Sequence, residues 1–442
     1  MRFAFKTLAV FGLTIALLLA LSLIRGTVQD RQRYRAEAVE EVARSTAGAQ
    51  SLEGPVLFVP FSDRVVTTQV DANGARRQVE QVKSGTWVYF PQSLEVQGTV
   101  RSLPRMRGLH EVRVFELDAT QRAAFRVLIP QDEDPATPRT IGEPQLGFGI
   151  RDVRGLIGVP SLRVSGVQRR LIQGQGRGRS GLHTTLDAPA AGATLQFDVE
   201  FKSSLQGTET LSIAPLAERN VIALASTWPH PQFHGDFLPR SRAIGPDGFR
   251  ARWEVSSLAS NAQSQFRAGM SRRATQGSPE AEAVDAISVS LVDPVNVYSQ
   301  VDRATKYGVL FVLLTFVAFF MFEFLKQLRI HPIQYGLVGL AVAIFFLLLL
   351  ALSERIPFGI AYLVAAAACV TLIGYYLGHV LGGWLRGAGF AGLLGTLYAA
   401  LYGLLISEDN ALVLGAGLLF LILATIMVVT RRVDWYRATA AG

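Results

Sequence analysis

The apolar residues of this chain follow two different periods. Near both ends they run together. Residues 7–24 form a stretch of eighteen without a charge, preceded by Arg2 and Lys6, and five more apolar runs follow at about 306–325, 333–352, 357–378, 388–406 and 411–430. Each is long enough to carry a helix across roughly 30 Å of hydrocarbon. The first run ends in Ala20-Leu-Ser-Leu-Ile-Arg25, without a small-x-small cleavage site, so we expect an uncleaved signal anchor.

Between the first and second runs the period drops to two. Leu195, Phe197, Val199 and Phe201 alternate with Gln196, Asp198, Glu200 and Lys202; Ala251, Trp253 and Val255 alternate with Arg252 and Glu254; Ile287, Val289 and Leu291 alternate with Ser288 and Ser290. Such alternation describes strands with one buried face. Shorter candidates lie at 56–61, 87–90, 94–100, 112–117 and 125–129, separated by turn signals such as Asp71-Ala-Asn-Gly74 and Pro246-Asp-Gly248. Many short strands punctuated in this way predict an antiparallel sandwich.

Residues 28–46, with Val28, Tyr34, Ala38 and Val42 among charges, predict a helix rising from the first span. Two polar stretches, 131–139 and 261–283, carry too little apolar surface to order themselves and are expected to be loops. The glycine-rich segment 174–181 lacks the lysine and spacing of a nucleotide-binding loop and reads as a hairpin connection. The expected fold is an α+β membrane protein, with six transmembrane helices and a large β-rich, antiparallel sandwich-like domain inserted between helices 1 and 2. Its parts are a signal-anchor helix at 1–24, a membrane-proximal helix at 25–50, the β-rich domain at 51–304, five helices at 305–430 and a tail at 431–442.

Charge gives the orientation. The 442 residues are 50% hydrophobic and 18% charged, with a net +8, yet residues 25–305 hold 33 basic and 30 acidic side chains, so most of the excess flanks the apolar runs. Lys326, Arg329, Arg386, Arg431, Arg432 and Arg437 fall on one side together with Arg2 and Lys6; the other short loops, with Glu354, Glu408 and Asp409, carry only Arg355. Lys and Arg in short loops stay cytoplasmic. Both termini are therefore expected in the cytoplasm of a bacterial-type inner membrane, with residues 25–304 in the periplasm.

Arg25, Arg31, Arg33 and Arg35 oppose this count, but they precede a long domain whose translocation is largely indifferent to charge. Their flank reads either as a rest for anionic headgroups or as a solvated helix face. No nucleic-acid-binding signature accompanies the basic residues, so the lipid bilayer is the expected partner and nucleic acid is not. The single cysteine, Cys369, lies in an apolar run and allows no intramolecular disulfide.

Candidate chemistry is sparse. Trp228-Pro-His-Pro-Gln-Phe-His-Gly-Asp-Phe-Leu-Pro239 gathers His230, His234 and Asp236, potential metal ligands that His183 or His110 would complete. Three prolines prevent a helix from aligning the two histidines, so we read a rigid loop with buried aromatics, metal binding being the alternative. No Gly-x-Ser-x-Gly elbow and no nucleotide, haem or flavin motif occurs, and no cofactor is implied. In the spans, Glu323 sits near a cytoplasmic end within reach of Lys326, and His379 ends a run; both fit an interfacial role. Gly387, Gly389, Gly392, Gly395, Gly415 and Gly417 read as small residues that let membrane helices pack closely.

Several segments together resemble the CreD family of inner-membrane proteins associated with cell-envelope integrity. They are the Trp228–Pro239 run, Asp293-Pro-Val-Asn-Val-Tyr298, Arg303-Ala-Thr-Lys-Tyr307, Phe320-Met-Phe-Glu-Phe324, Arg329-Ile-His-Pro-Ile-Gln-Tyr335, Leu352-Ser-Glu-Arg355, Glu408-Asp409 and Thr430-Arg-Arg-Val-Asp-Trp-Tyr436. Weaker echoes occur at Arg107-Gly108, Arg151-Asp-Val-Arg-Gly155 and Gly181-Leu-His183. The resemblance implies a partner of the envelope-stress response linked to a two-component system, to colicin tolerance and to the β-lactam response. It brings no catalytic residues. His234 departs from it, standing where a small polar residue is expected, which counts against a metal role.

The residues, taken with this likeness, mark a candidate functional surface of Trp228, His230, His234, Asp236, Glu323, Arg329, His331, Gln334, Tyr335, Glu354, Glu408 and Asp409. The expected function is non-enzymatic: the exported domain binds or senses an envelope protein or a cell-wall or lipid component. A transporter or flippase of a lipid or peptide, and a metal-dependent periplasmic hydrolase, are the alternatives.

Overall fold

Uninterrupted apolar runs have one stable form in hydrocarbon, the helix, because it pairs every backbone polar group internally. The computed structural model describes residues 2–70, 76–108, 110–131, 139–176, 180–276, 284–292, 297–326, 330–380, 383–407 and 411–431. Its helices are α1 (Arg2–Ser45), α2 (Ala262–Gln276), α3 (Val297–Lys326), α4 (Pro332–Ser353), α5 (Phe358–Val380), α6 (Trp384–Ile406) and α7 (Ala411–Thr430). Among the described residues, five helices are long and apolar enough to cross a membrane: α1, α3, α4, α5 and α6. In α7 the stretch Val413–Thr425 forms a shorter apolar helix. The first span and the helix expected after it are one unbroken rod, α1, because nothing between them breaks the helical backbone.

The chain divides into two compact units. One joins Met1–Arg35 to Val295–Gly442, and the other is Ala36–Pro294. In the helical unit, Leu17 and Leu21 of α1, Phe311 and Phe319 of α3, Phe345 and Phe346 of α4, Ala365 and Cys369 of α5, and Phe390 and Tyr398 of α6 share one buried core. Close approach depends on glycines, Gly339 and Gly387 among them. A Cβ on Gly339 would collide with Leu17 and Phe316, and one on Gly387 would lie 2.6 Å from the backbone of Gly378. The expectation of a broad glycine face is thus narrowed: Gly389, Gly392, Gly395 and Gly417 face open space and Gly415 meets a neighbour only at 3.8 Å.

In the β-rich unit, nine strands form one sheet and eight the other among the described residues. In the first, Gln50–Val70 pairs antiparallel with Arg76–Tyr89 and Gln145–Ile150 but parallel with Thr210–Ala214. The second runs in the order Ser241–Gly245, Gly248–Ser256, Arg219–Ser226, Ser93–Arg107, His110–Leu128, Thr194–Thr208, Leu156–Val164 and Val167–Arg169. Here Arg219–Ser226 lies parallel to Ser93–Arg107. The sheets are therefore mixed, not purely antiparallel as the turn signals predict. Long excursions separate each parallel pair in sequence, and short-range patterning does not encode which strand lies beside which.

The two sheets share a core in which Leu57, Leu146 and Phe148 of one meet Val96, Phe125, Phe201 and Leu224 of the other. Phe148 and Phe201 stack at 4.3 Å between ring centroids. α2 corrects the loop expected over 261–283, of which 277–283 lie outside the described residues. Ala262 and Phe266 are fully buried with Val56, Phe58, Ala214 and Leu216. One aromatic anchor is enough to dock an otherwise polar helix. The turn at 71–74, most of the expected loop 131–139 and residues 177–179 of the glycine-rich segment also lie outside the described residues. That segment's flanks do form a hairpin, with Leu182 opposite Gln173.

Candidate functional site

Four of the residues singled out in sequence meet at one end of the helical unit. His331 caps α4: its Nδ1 accepts from the Ile333 N–H at 3.3 Å, the Gln334 Oε1 accepts from the His331 N–H at 3.1 Å, and Pro332 occupies the first turn. This reciprocal arrangement satisfies donors that a helix start leaves free. One turn on, Tyr335 is buried, its ring 4.6 Å from that of Phe319 and 5.8 Å from that of Phe316. Its hydroxyl donates to Glu323 Oε2 at 2.7 Å, and the Ile330 N–H donates to Oε1 at 3.3 Å. The buried Glu323 carboxylate thereby ties the end of α3 to the start of α4. Arg329, and the Lys326 side chain expected beside Glu323, lie outside the described residues.

A second polar cluster occupies the opposite end of α3. Asp302 accepts from Lys306 at 2.7 Å and from Arg25 at 3.4 Å, and Glu354 at the end of α4 pairs with Arg31 at 3.3 Å. Both carboxylates are largely shielded, with side chains 16% and 13% exposed, where ion pairs are screened less than at the surface. Two of the arginines that opposed the charge count, Arg25 and Arg31, therefore neutralise acids on neighbouring helices. Glu408 and Asp409 lie outside the described residues.

The Trp228–Pro239 run builds one edge of the β-rich unit. Trp228 is buried, its Nε1 donates to the His230 carbonyl at 2.9 Å, and the Arg113 guanidinium lies 4.4 Å from its ring centre. Gln232–Gly235 pairs with Ile287–Ser290, and Phe233 packs edge-on against Phe249 and Trp253. Gly235 has φ +87°, and any Cβ there would strike the Ala286 carbonyl. Asp236 is spent locally: its N–H donates to the Ala286 carbonyl at 2.9 Å, and its Oδ2 accepts from the Ala286 N–H at 2.8 Å. His230 and His234 are exposed, and His183 sits on another strand with its Nδ1 against the Gly174 carbonyl. Among the described residues no three His, Cys, Asp or Glu side chains gather as metal ligands would.

Sequence reasoning missed Arg113 under Trp228, Asp302 between Arg25 and Lys306, and the polar contacts inside the helices. There the Tyr362 hydroxyl donates to the Tyr398 carbonyl at 2.8 Å and the Cys369 thiol to the Ala341 carbonyl at 3.1 Å. Only the Asp302–Lys306 pair, four residues apart, had a signal in spacing. In the β-rich unit Asp152 braces the turn at 152–155. Its carboxylate meets the Arg154 guanidinium at 2.6 and 2.9 Å and the Arg154 and Gly48 N–H groups, which together hold its pKa below the usual aspartate range, the Arg154 side chain contributing most.

The sequence profile of the family described as "Inner membrane protein CreD" matches residues 2–436. The inner membrane protein CreD of Escherichia coli (strain K12) is 35% identical over 432 residues, which cover 98% of this chain and 93% of that protein. Among solved structures, an M1 zinc metallopeptidase from Deinococcus radiodurans overlaps 37% of this chain and 38% of its own at a TM-score of 0.19 and 8% identity, too slight a likeness to bear on fold or chemistry. The match along nearly the whole length places the residues of all three clusters within one family, and the chain belongs to the CreD family of inner membrane proteins.

Proposed function

We propose that this inner membrane protein is a non-enzymatic component of envelope maintenance. Six helices, α1 and α3–α7, anchor it with both termini in the cytoplasm, and the β-rich unit stands in the periplasm, where it binds or senses an envelope protein or a cell-wall or lipid component. The observation that carries the reading is where acidic side chains fall in the helical unit. Glu323 lies at one end of α3, with Asp302 and Glu354 at the other, each tied to partners that hold helices together. The middle of the bundle is instead packed with aromatic rings: Phe345, Phe346, Phe311 and Tyr398. Ionisable side chains inside the bilayer are the usual markers of an ion or proton path, and this bundle uses its carboxylates as ties at its ends. α7, with 20 residues, is just long enough to add the sixth crossing.

The test is photo-crosslinking in intact envelopes, with the reactive side chain at His230 or His234, beside reconstitution of the purified chain in liposomes. Discrete adducts to an envelope component, with lipid and peptide flux no greater than in empty vesicles, are expected. Flux above that control with no adduct would move the function to the helices.

A further inference from the structure

The first helix fits its groove in more than one register. Leu13, Leu17 and Leu21 follow one another at four-residue intervals along one face of α1. Each ends at a glycine of a neighbouring helix: a Cβ on Gly336 of α4 would lie 3.2 Å from Leu13 Cδ1, one on Gly339 would strike Leu17, and one on Gly308 of α3 would lie 3.4 Å from Leu21 Cδ1. The interval continues backward to Ala9, and it recurs between Ile24 and the fully buried Val28. Moving α1 by one turn toward its C-terminus therefore brings Ala9 to Gly336, Leu13 to Gly339, Leu17 to Gly308 and Ile24 to the place of Val28. An apolar side chain replaces another at each point. Packed helices with two discrete fits pass one another in steps of one turn, about 5.4 Å.

Charge does not repeat in this way. Eighteen residues separate Leu13 from Arg31 on α1, and eighteen separate Gly336 from Glu354 on α4. The two helices run parallel, and the register that seats Leu13 on Gly336 also brings Arg31 to within 3.3 Å of Glu354. Arg25 meets Asp302 of α3 at 3.4 Å in the same register. Four residues before these arginines stand Thr27 and Leu21, neither of which carries a charge. The one-turn shift thus keeps the apolar contacts and gives up both arginine pairs, while Lys306 stays with Asp302 at 2.7 Å. Both carboxylates are largely shielded from water, where ion pairs are screened less and discriminate more strongly between registers.

We infer that Arg25 and Arg31 are a latch on α1: they hold one of two registers that differ by a helical turn, and their release lets α1 slide along α3 and α4. The last turns of α1, from Ala36, belong to the β-rich unit, so this helix is the covalent link through which that unit acts on the first span. That use of the latch rests on the reading that the β-rich unit binds an envelope component. The latch itself does not.

The experiment is disulfide crosslinking of the full chain in isolated membranes, in a Cys369→Ala background, with bond formation read as loss of labelling by a thiol-reactive mass tag. Leu13→Cys with Gly336→Cys reports the latched register, and Ala9→Cys with Gly336→Cys reports the shifted one. Phe11→Cys with Gly336→Cys, half a turn away, reports loosening alone. With both arginines present, the Leu13 pair is expected to close and the Ala9 pair to stay open. Arg25→Ser/Arg31→Ser should raise closure of the Ala9 pair about tenfold. Adding Thr27→Arg, which reaches Glu354 only after the shift, should make the Ala9 pair the major one, and the Phe11 pair should stay open throughout. An Ala9 pair that stays open in both variants, or an equal rise in the Ala9 and Phe11 pairs, would overturn the inference. Crosslinking from His234 tests the binding reading separately. A register that follows the arginine while His234 gives no envelope adduct leaves the latch standing and removes the binding role; adducts with a fixed register remove the latch alone.

Discussion

Replacing Tyr335 by Phe isolates one hydroxyl in the helical unit. The ring stays between Phe316 and Phe319, while the 2.7 Å hydrogen bond to Glu323 disappears. Hydrogen bonds to charged groups contribute about 1.5–3 kcal/mol. Glu323 is only 9% exposed and keeps its other contacts, the Ile330 N–H at 3.3 Å among them. Tyr335→Phe should therefore destabilise the helical unit by about 2 kcal/mol. The assay is reversible unfolding in mixed micelles, combined with Glu323→Gln in a double-mutant cycle. A coupling of about 1 kcal/mol or more between the two positions is expected for groups in direct contact. A single-variant loss below about 0.5 kcal/mol with additive effects would refute the reasoning, because the hydroxyl would then be doing no more than it does in water.

Three further outcomes follow from other parts of the molecule. Phe266→Ala should release α2, costing about 3–5 kcal/mol as a fully buried ring is removed, and limited proteolysis should cut first within 262–276; an uncut helix would contradict the anchor. Gly387→Leu should force α5 and α6 apart and cost about 1–3 kcal/mol or more by overpacking, whereas Gly389→Leu, which meets open space, should be near neutral in the same unfolding assay. The Asp152 carboxyl has a lower pKa folded than unfolded, so the unfolded chain binds more protons; its contribution is complete above the ordinary aspartate value of about 3.9 and is lost as pH falls through the lower folded value. Acid titration of Asp152→Asn should accordingly show a flatter decline in stability below about pH 4 than the unaltered protein, and identical curves would contradict it.

Much of this architecture is legible in the residues because its elements are bounded by strong local signals. The last four apolar runs become α4–α7 within about four residues of their expected limits, while α3 starts at Val297, well before the run expected at 306–325, and the alternation at 195–201 and 251–255 marks strands whose odd-numbered residues reach the core. Contacts between distant segments are not legible. The parallel pairing of Arg219–Ser226 with Ser93–Arg107 depends on the path of the chain between them, and Phe266 looks like one ring in a polar run until Phe58 and Phe90 are placed around it. The candidate site divides in the same way. The cap made by His331 and Gln334 is written in three-residue spacing. The Glu323–Tyr335 bond joins residues twelve apart across a turn, and Arg31 reaches Glu354 across more than three hundred residues. The two histidines of the loop attracted a metal reading by proximity in sequence, yet both are exposed, His234 on the strand that pairs with Ile287–Ser290 and His230 just before it.

The account stands on the side of the membrane that the β-rich unit occupies. Cys369 is 5% exposed, which leaves little native thiol to label, so single cysteines can be introduced at His234 and at Arg386 and treated in intact cells with a membrane-impermeant maleimide. Labelling of the His234→Cys protein together with protection of the Arg386→Cys protein until the cells are permeabilised is the predicted result. Labelling of Arg386→Cys in intact cells with protection of His234→Cys would contradict the account.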